Sequence, residues 1–303
     1  MMQPLRVALD WTINTNHSPL IVAQQQGWYA QAGLQVQLQH AGQDDYALTP
    51  AKKLELGLAD IAVCPVESIL SFRVKQQPFD MRAIAAIFQT DLSCIVTLAS
   101  SGLHRPAMLA GQRYASYRAR YEDAIVQQML AADGATAPAH IVYPPKLGIW
   151  NTLLSGQAEA TWVFDNWEGE QARRQGIDLH RFTLQQYGIP YGYSPVLVAS
   201  QHSIATQSQV LRQFLAATAR GAAFAAAQPE ATARLLQPHV PAADADLPFL
   251  TASARYCAPH YGQPWGHMQP QRIQPYLQWL HHRGLEPRLF APEEVATHEL
   301  LPA

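Results

Sequence analysis

The chain has 303 residues, 48% of them hydrophobic and 15% charged, with a formal net charge of −2. That length allows one large domain or two of ordinary size, each with its own core. The near-neutral charge, with no strongly basic tract, argues against nucleic acid or an anionic membrane surface as partner. No segment approaches the roughly 20 apolar residues that span a bilayer. Cys64, Cys94 and Cys257 are odd in number, far apart and without metal-ligand spacing, so a metal site and a disulfide framework are not expected. The start, Met1-Met2-Gln3-Pro4-Leu5-Arg6, lacks the charged beginning, apolar run and small-residue cleavage site of a secretory leader. The chain is expected in the cytoplasm, or in the periplasm if a leader has been removed.

The first hundred residues alternate strand and helix signals. Leu5 to Asp10 reads as a buried strand and Pro19 to Gly33 as a helix, which Gly33 stops before the alternating strand Leu34-Gln35-Val36-Gln37-Leu38. Thr49 to Leu58 has helical spacing, Asp60 to Cys64 is a short buried strand, Glu67 to Lys75 a helix and Met81 to Phe88 a strand. A second series comes after it: strand Arg113 to Tyr117, helix Glu122 to Asp133, strand His140 to Tyr143, helix Leu147 to Ser155, strand Ala160 to Phe164 and helix Asn166 to Gln175. Pro195 to Ala199 is a further strand, Ser208 to Gln228 a long Ala-rich helix, and the remainder mainly helical with frequent prolines. Strands alternating with helices predict mostly parallel sheets with covered faces. The two series, joined by extended stretches near Asp91–Val96 and Gly188–Val196, predict two α/β lobes: 1–94 with 195–303, and 95–194. Ligands of open α/β sheets sit outside the carboxyl ends of strands, so a cleft closed by a hinge is expected.

The segments after the predicted strands are therefore the richest in functional candidates. After the first strand come Asp10-Trp11-Thr12-Ile13-Asn14-Thr15-Asn16-His17, which combine an indole with an acid, two amides and an imidazole. Capping of the next helix accounts for some of these but not for the whole set. After Cys64 come Glu67 and Ser68; Glu67 reads as a first-turn acid or as an acceptor for a ligand's amino group. Tyr117-Arg118-Ala119-Arg120-Tyr121 places two guanidinium groups between phenols at a helix start, where they suit a phosphate or carboxylate or lie on a solvated surface. Asp165, Asn166 and Trp167 come after the strand containing Trp162, and at least one of the indoles Trp150, Trp162 and Trp167 belongs to the core. Tyr187, Tyr191 and Tyr193 stand beside the second crossover, where rings stack on heterocycles. No G-x-S-x-G, HExxH, CxxC or G-x-G-x-x-G occurs. His281-His282 and Trp279 lie on an amphipathic helix, where a metal site is not expected.

Asp10-Trp11-Thr12-x-Asn14-x-Asn16-His17, then Ile21-Val22-Ala23-Gln24-x-x-Gly27-Trp28-Tyr29 and Gly33-Leu34-x-Val36, resemble the opening of the thiamine-pyrimidine group of type II periplasmic binding proteins. Leu56-Gly57-x-Ala59-Asp60, Trp162 to Glu168 and Gly266-His267-Met268 leading to Trp279-Leu280 are further echoes. That group contains ThiY-like solute receptors, which hand formylaminopyrimidine or related pyrimidines to ABC transporters, and fungal enzymes that build the thiamine pyrimidine from pyridoxal phosphate and histidine. The resemblance implies a type II periplasmic-binding-protein fold with two crossover strands and a small heterocyclic ligand. Trp11, Trp162, Tyr117, Tyr121, Tyr191 and Tyr193 would supply stacking faces. Asp10, Asn16, Glu67, Asp165 and Asn166 would read amino and ring-nitrogen groups, Arg118 and Arg120 would hold any phosphate or carboxylate, and His17 and Ser68 would join the ligand contacts.

The synthase branch requires a lysine and, four residues on, a histidine; the aligned positions here are Cys64 and Ser68. A Schiff base needs an amine, and where the synthases carry a cysteine-rich run this chain reads Tyr191-Gly192-Tyr193-Ser194. Synthase activity is therefore disfavoured, with no catalytic residue and no cofactor expected; Lys75 stands one helix length away. A monomeric receptor, with an ABC permease as partner if a leader was removed, is the leading expectation. A thiamine-pyrimidine biosynthetic enzyme and a cytosolic ligand sensor are the alternatives.

Overall fold

Fully buried runs such as Ile61–Cys64 and Val196–Ser200 exist because each is the interior of a sheet covered on both faces. The computed structural model describes residues 2–144 and 149–302, so the side chain of Trp150 and the first residues of the helix expected from Leu147 lie outside the described residues. The chain divides into two units. The first comprises Met1–Asp91, Gly192–Gln274 and Phe290–Ala303, and the second Leu92–Tyr191 with Pro275–Leu289.

The first unit is built on a five-stranded sheet. Its strands are β1 (Gln3–Ala8), β2 (Leu34–Gln39), β3 (Ile61–Cys64) and β4 (Met81–Ala86), together with the late strand β10 (Val196–Ser200), in the order β2-β1-β3-β10-β4. β1 runs parallel to β2 and β3, whereas β10 is antiparallel to both β3 and β4. β2 alternates buried and exposed residues, as an edge strand with one wet face should.

Helix Ser18–Gln25 packs on the long helix Ser208–Ala227 at its one interior glycine. A Cβ at Gly221 would stand 2.0 Å from the carbonyl oxygen of Pro19, so only glycine permits this approach. The stacked rings of Tyr29 and Phe214, 5.3 Å apart, extend the same contact. Thr15 Oγ1 lies 2.6 Å from Ser253 Oγ on helix Leu247–Cys257. The turn after β1 is thus pinned where it enters helix Ser18–Gln25.

The second unit repeats the pattern with β5 (Ser93–Leu98), β6 (Arg113–Ala115), β7 (His140–Val142), β8 (Ala160–Phe164) and β9 (Leu179–Phe182), in the order β7-β6-β8-β5-β9. β6 is parallel to β7 and β8, and β5 is antiparallel to β8 and β9. Its core gathers Ile95, Tyr114, Ile125, Val126, Met129 and Leu130 between this sheet and helix Glu122–Ala132.

Four expectations are corrected. The sheets are mixed rather than mostly parallel, because each contains one strand laid antiparallel between two others. Asp91–Val96, expected as a crossover, does carry the chain from the first unit into the second and opens β5, but β9 has no counterpart among the expected strands. The helix expected over Pro19 to Gly33 ends at Gln25, where Gly27 turns left-handed (φ 70°) before a short helix Trp28–Gln31. Pro275–Leu289, expected in the first lobe, groups with the second unit, where Tyr276 meets Tyr191 at 5.3 Å between ring centres.

Candidate functional site

In the first unit β1 and β3 lie parallel and side by side, so the segments after both strands leave the same edge of the sheet. After β1 the chain makes a turn stabilised by its own side chains. Asn14 Oδ1 accepts from the Asn16 amide at 2.8 Å, and the Asn14 amide donates to His17 Nδ1 at 3.2 Å. With Nδ1 accepting, the neutral ring of His17 carries its proton on Nε2. That nitrogen stands 2.8 Å from Asp10 Oδ1. His17 is fully buried, so it orients Asp10 rather than meeting solvent. The second oxygen of Asp10 makes no hydrogen bond among the described residues, and the Asp10 side chain is 21% exposed.

β3 ends at Cys64, and Glu67 and Ser68 stand in the first turn of helix Val66–Val74. Burial pushes the Cys64 thiol up to about 12, against a hydrogen bond from Ser68 and with help from the negative charges of Asp10 and Glu67. The thiol is thus protonated and inert at neutral pH. The same interactions place Asp10, Cys64, Glu67 and Ser68 together. Asn16 and Glu67 are buried, at 3% and 4% exposure.

An aromatic pair flanks this cluster. The Trp11 and Tyr46 rings lie 5.0 Å apart at 55°. Tyr46 and its neighbour Asp45 both adopt left-handed backbone (φ 60° and 51°), an uncommon state for residues with side chains. The Tyr46 hydroxyl hydrogen-bonds Thr12, and the Trp11 carbonyl accepts from the Ala41 amide at 3.4 Å. Tyr46 is absent from the residues expected from sequence, because it belongs to the loop after the strand Leu34–Gln39 and carries no motif of its own. The signal for it was that strand's place in the alternating series: β2 runs parallel to β1 and ends at the same edge.

In the second unit the segment after β6 folds around an acid. Glu122, 2% exposed, accepts from the Tyr114 hydroxyl at 2.8 Å and from the amides of Tyr117 and Ala119 at 3.0 and 3.1 Å. Burial raises its carboxyl above the usual range, against these hydrogen bonds. Arg118, also left-handed (φ 59°), lies over the Tyr143 ring at 4.4 Å and forms no ion pair among the described residues. Arg120 differs: its Nη2 donates to Glu286 Oε1 at 2.5 Å, and the Tyr121 hydroxyl donates to the same oxygen. Glu286 is 1% exposed at its side chain, so Arg120 and Tyr121 are committed to a buried acid. Burial, Glu168 and Glu122 together raise the Tyr117 phenol well above its ordinary value, which places Tyr117 beside the turn after β8.

That turn is a single π-helical turn, Asp165–Gly169, a form that recurs at functional sites. Glu168 Oε2 accepts from the Phe164 amide at 2.9 Å, and Asn166 is fully buried. Asp165 folds back over Gly169, where a Cβ would meet Asp165 Oδ1 at 1.9 Å, and accepts from Arg181 Nε at 2.6 Å. Trp162 and Tyr191 meet edge to face at 5.7 Å, and Tyr191 continues to Tyr276 and on to Trp279, whose ring lies 6.2 Å from that of Tyr276. Tyr193, by contrast, is a buried residue of the first unit. Its hydroxyl accepts from the Gln269 amide at 3.0 Å, and Arg272 lies over its ring at 4.2 Å.

The structure thus brings Asp10, Trp11, Asn16, His17, Glu67 and Ser68 to one edge of the first sheet. It brings Tyr117, Arg118 and Asn166 to the ends of β6 and β8, and Trp162 and Tyr191 to an aromatic row. It engages Arg120, Tyr121, Asp165 and Tyr193 in bonds within their own units. Among the described residues no cluster of three or more His, Cys, Asp or Glu is placed to hold a metal ion.

A family model described as NMT1/THI5 like matches residues 14–232. A protein of Haemophilus influenzae described as a putative thiamine biosynthesis protein is 23% identical over 97% of this chain and 91% of its own length. A formylaminopyrimidine-binding protein of Halalkalibacterium halodurans is 23% identical over 78% of this chain and 70% of its own length. Among solved structures, the periplasmic nitrate-binding protein NrtA of Synechocystis PCC 6803 superposes with a TM-score of 0.77 at 13% identity, covering 99% of this chain and 87% of that one. The fold is that of the periplasmic binding proteins, as expected.

Proposed function

The chain belongs to the NMT1/THI5-like family, and from that premise we propose that it is a solute-binding protein for an aminopyrimidine of the thiamine-precursor type. One observation carries the reading: Asp10 is oriented by buried His17 through one oxygen while its other oxygen is left to accept. An exocyclic amine presents the matching donor. The Trp11–Tyr46 pair offers a face for the ring, and such stacking contributes about 0.5–1.5 kcal/mol beyond area burial. Ser68, Asn16 and Glu67 supply polar groups for ring nitrogens and substituents. The formylaminopyrimidine bound by the Halalkalibacterium halodurans relative supports the same ligand class. A receptor of this kind delivers its ligand to an ABC permease from outside the cytoplasm. Among the described residues no helix is long and apolar enough to cross a membrane.

The synthase reading finds less support. At its lysine position stands Cys64, a protonated buried thiol that cannot form a Schiff base. Lys75 lies at the opposite end of helix Val66–Val74, about 13 Å along its axis from Val66, and pairs with Glu55. Lys52 and Lys53 are likewise paired, with Glu55 and Asp44.

A thermal-shift panel of hydroxymethylpyrimidine, its phosphate, formylaminopyrimidine, thiamine, riboflavin and pyridoxal phosphate tests the proposal. A ligand at 100 times its dissociation constant adds about 2.7 kcal/mol of stability. A shift with a pyrimidine supports it; a shift with pyridoxal phosphate alone reopens the enzyme, and no shift removes the ligand assignment.

A further inference from the structure

The edge strand β4 carries Arg82, whose side chain has no hydrogen bond or ion pair among the described residues. Its Nε is buried and unpartnered. The neighbouring acids do not serve it: Arg73 pairs with both Asp80 and Glu294. Arg82 instead lines a cavity of about 310 Å³ within the first unit, where the segment after Phe290 returns along β4. Met268, Pro270 and Ile273 form apolar walls there.

Two further donors line the same cavity. His298 Nε2 accepts from the Met268 amide at 3.0 Å, so in the neutral ring the proton sits on Nδ1, which has no partner among the described residues. Burial and the stacked ring of His267 lower the His298 pKa, which keeps the ring neutral. The Thr297 hydroxyl accepts from the Glu299 amide at 3.4 Å and retains its own proton to donate. Glu293, the acid of the lining, is exposed and its charge is solvated. A half-buried guanidinium without a counter-ion is costly, and a planar fork with two neutral donors beside it matches a carboxylate.

We propose that this cavity is a second ligand site, separate from the Asp10 cluster, that takes a small monocarboxylate with an apolar body: Arg82 pairs with the carboxylate, His298 and Thr297 donate to it, and Met268, Pro270 and Ile273 cover the body. The volume lies at the lower end of the range for small-molecule pockets, so the occupant is a compact acid.

The test is a titration with benzoate, observed through the Arg82 Nε–H and His298 side-chain resonances in NMR spectra of the full chain. Benzoate is expected to shift both resonances saturably. Arg82→Gln should weaken binding about tenfold or more and His298→Gln several-fold, with both variants keeping the wild-type melting temperature to within about 2 °C. Benzylamine, which has the same body and the opposite charge, should not bind, and inorganic phosphate, which has charge without a body, should bind much more weakly. Unshifted resonances, undiminished benzoate binding in Arg82→Gln, or equal binding of benzylamine or phosphate would overturn the proposal. A pyrimidine-induced thermal shift should be the same in Arg82→Gln and wild type, so failure of this site and failure of the aminopyrimidine reading are read separately.

Discussion

His17 Nε2 holds one carboxylate oxygen of Asp10 at 2.8 Å while the other ring nitrogen of His17 takes the Asn14 amide. The histidine is therefore a strut between backbone and acid, with its tautomer fixed by the turn after β1. Two substitutions separate orientation from recognition. Asp10→Asn can still accept from His17 but turns an amide donor toward the ligand's amine. Its affinity for an aminopyrimidine should fall about 10- to 100-fold with stability changed by less than about 1 kcal/mol. His17→Ala removes the strut and leaves the buried Asn14 amide unpaired, so urea unfolding should show a loss of about 1–3 kcal/mol together with weaker binding.

Trp11 and Tyr46 should contribute unequally. Trp11→Ala is expected to weaken pyrimidine binding at least about tenfold, since it removes the larger face and the partner that orients Tyr46. Tyr46→Ala removes the smaller face, at a position held in left-handed backbone, and should weaken binding less. Isothermal titration of both variants checks the order.

Cys64 ties stability to alkaline pH. Its folded value of about 12 lies above the ordinary 9.0, so the native state favours the protonated thiol. The stability this contributes is fully present below pH 9 and is lost as pH rises through 12. Cys64→Ala should therefore lose less stability than wild type between pH 9 and pH 11, measured by urea melts at each pH. Native protein should leave this thiol unmodified by a maleimide at pH 8, whereas denatured protein should expose it.

Arg118 and Arg120 look alike in sequence, but their surroundings differ. Arg120→Ala strands the buried carboxylate of Glu286. Because Arg120 is itself 34% exposed, solvent softens the cost, and a loss of about 1–3 kcal/mol is expected in urea unfolding. Arg118→Ala forfeits a contact with the exposed Tyr143 ring and should cost less than about 1 kcal/mol.

The fold was legible because strand–helix alternation and resemblance pointed the same way, and the first site cluster because Asp10, Trp11, Asn16 and His17 are contiguous in sequence. What the sequence hid was pairing. β5 reads as an extended connector, yet its place between β8 and β9 is fixed by hydrogen bonds that leave no local pattern. Glu286 lies 166 residues from Arg120, and no spacing rule links them. The role of Asp165 depended on Arg181 across the sheet. Tyr193 comes two residues after Tyr191, but Gly192 begins the return to the first unit, so the two phenols belong to different cores. His17, expected among the ligand contacts, is fully enclosed and acts through Asp10.

The most direct test of the receptor reading is a calorimetric titration of formylaminopyrimidine into wild type and Asp10→Asn side by side. An amine held by Asp10 predicts saturable one-to-one binding to wild type and affinity at least about tenfold weaker in Asp10→Asn, with the two proteins melting within about 4 °C of each other in the absence of ligand. Equal affinity in the two proteins, or no heat with wild type, would contradict it.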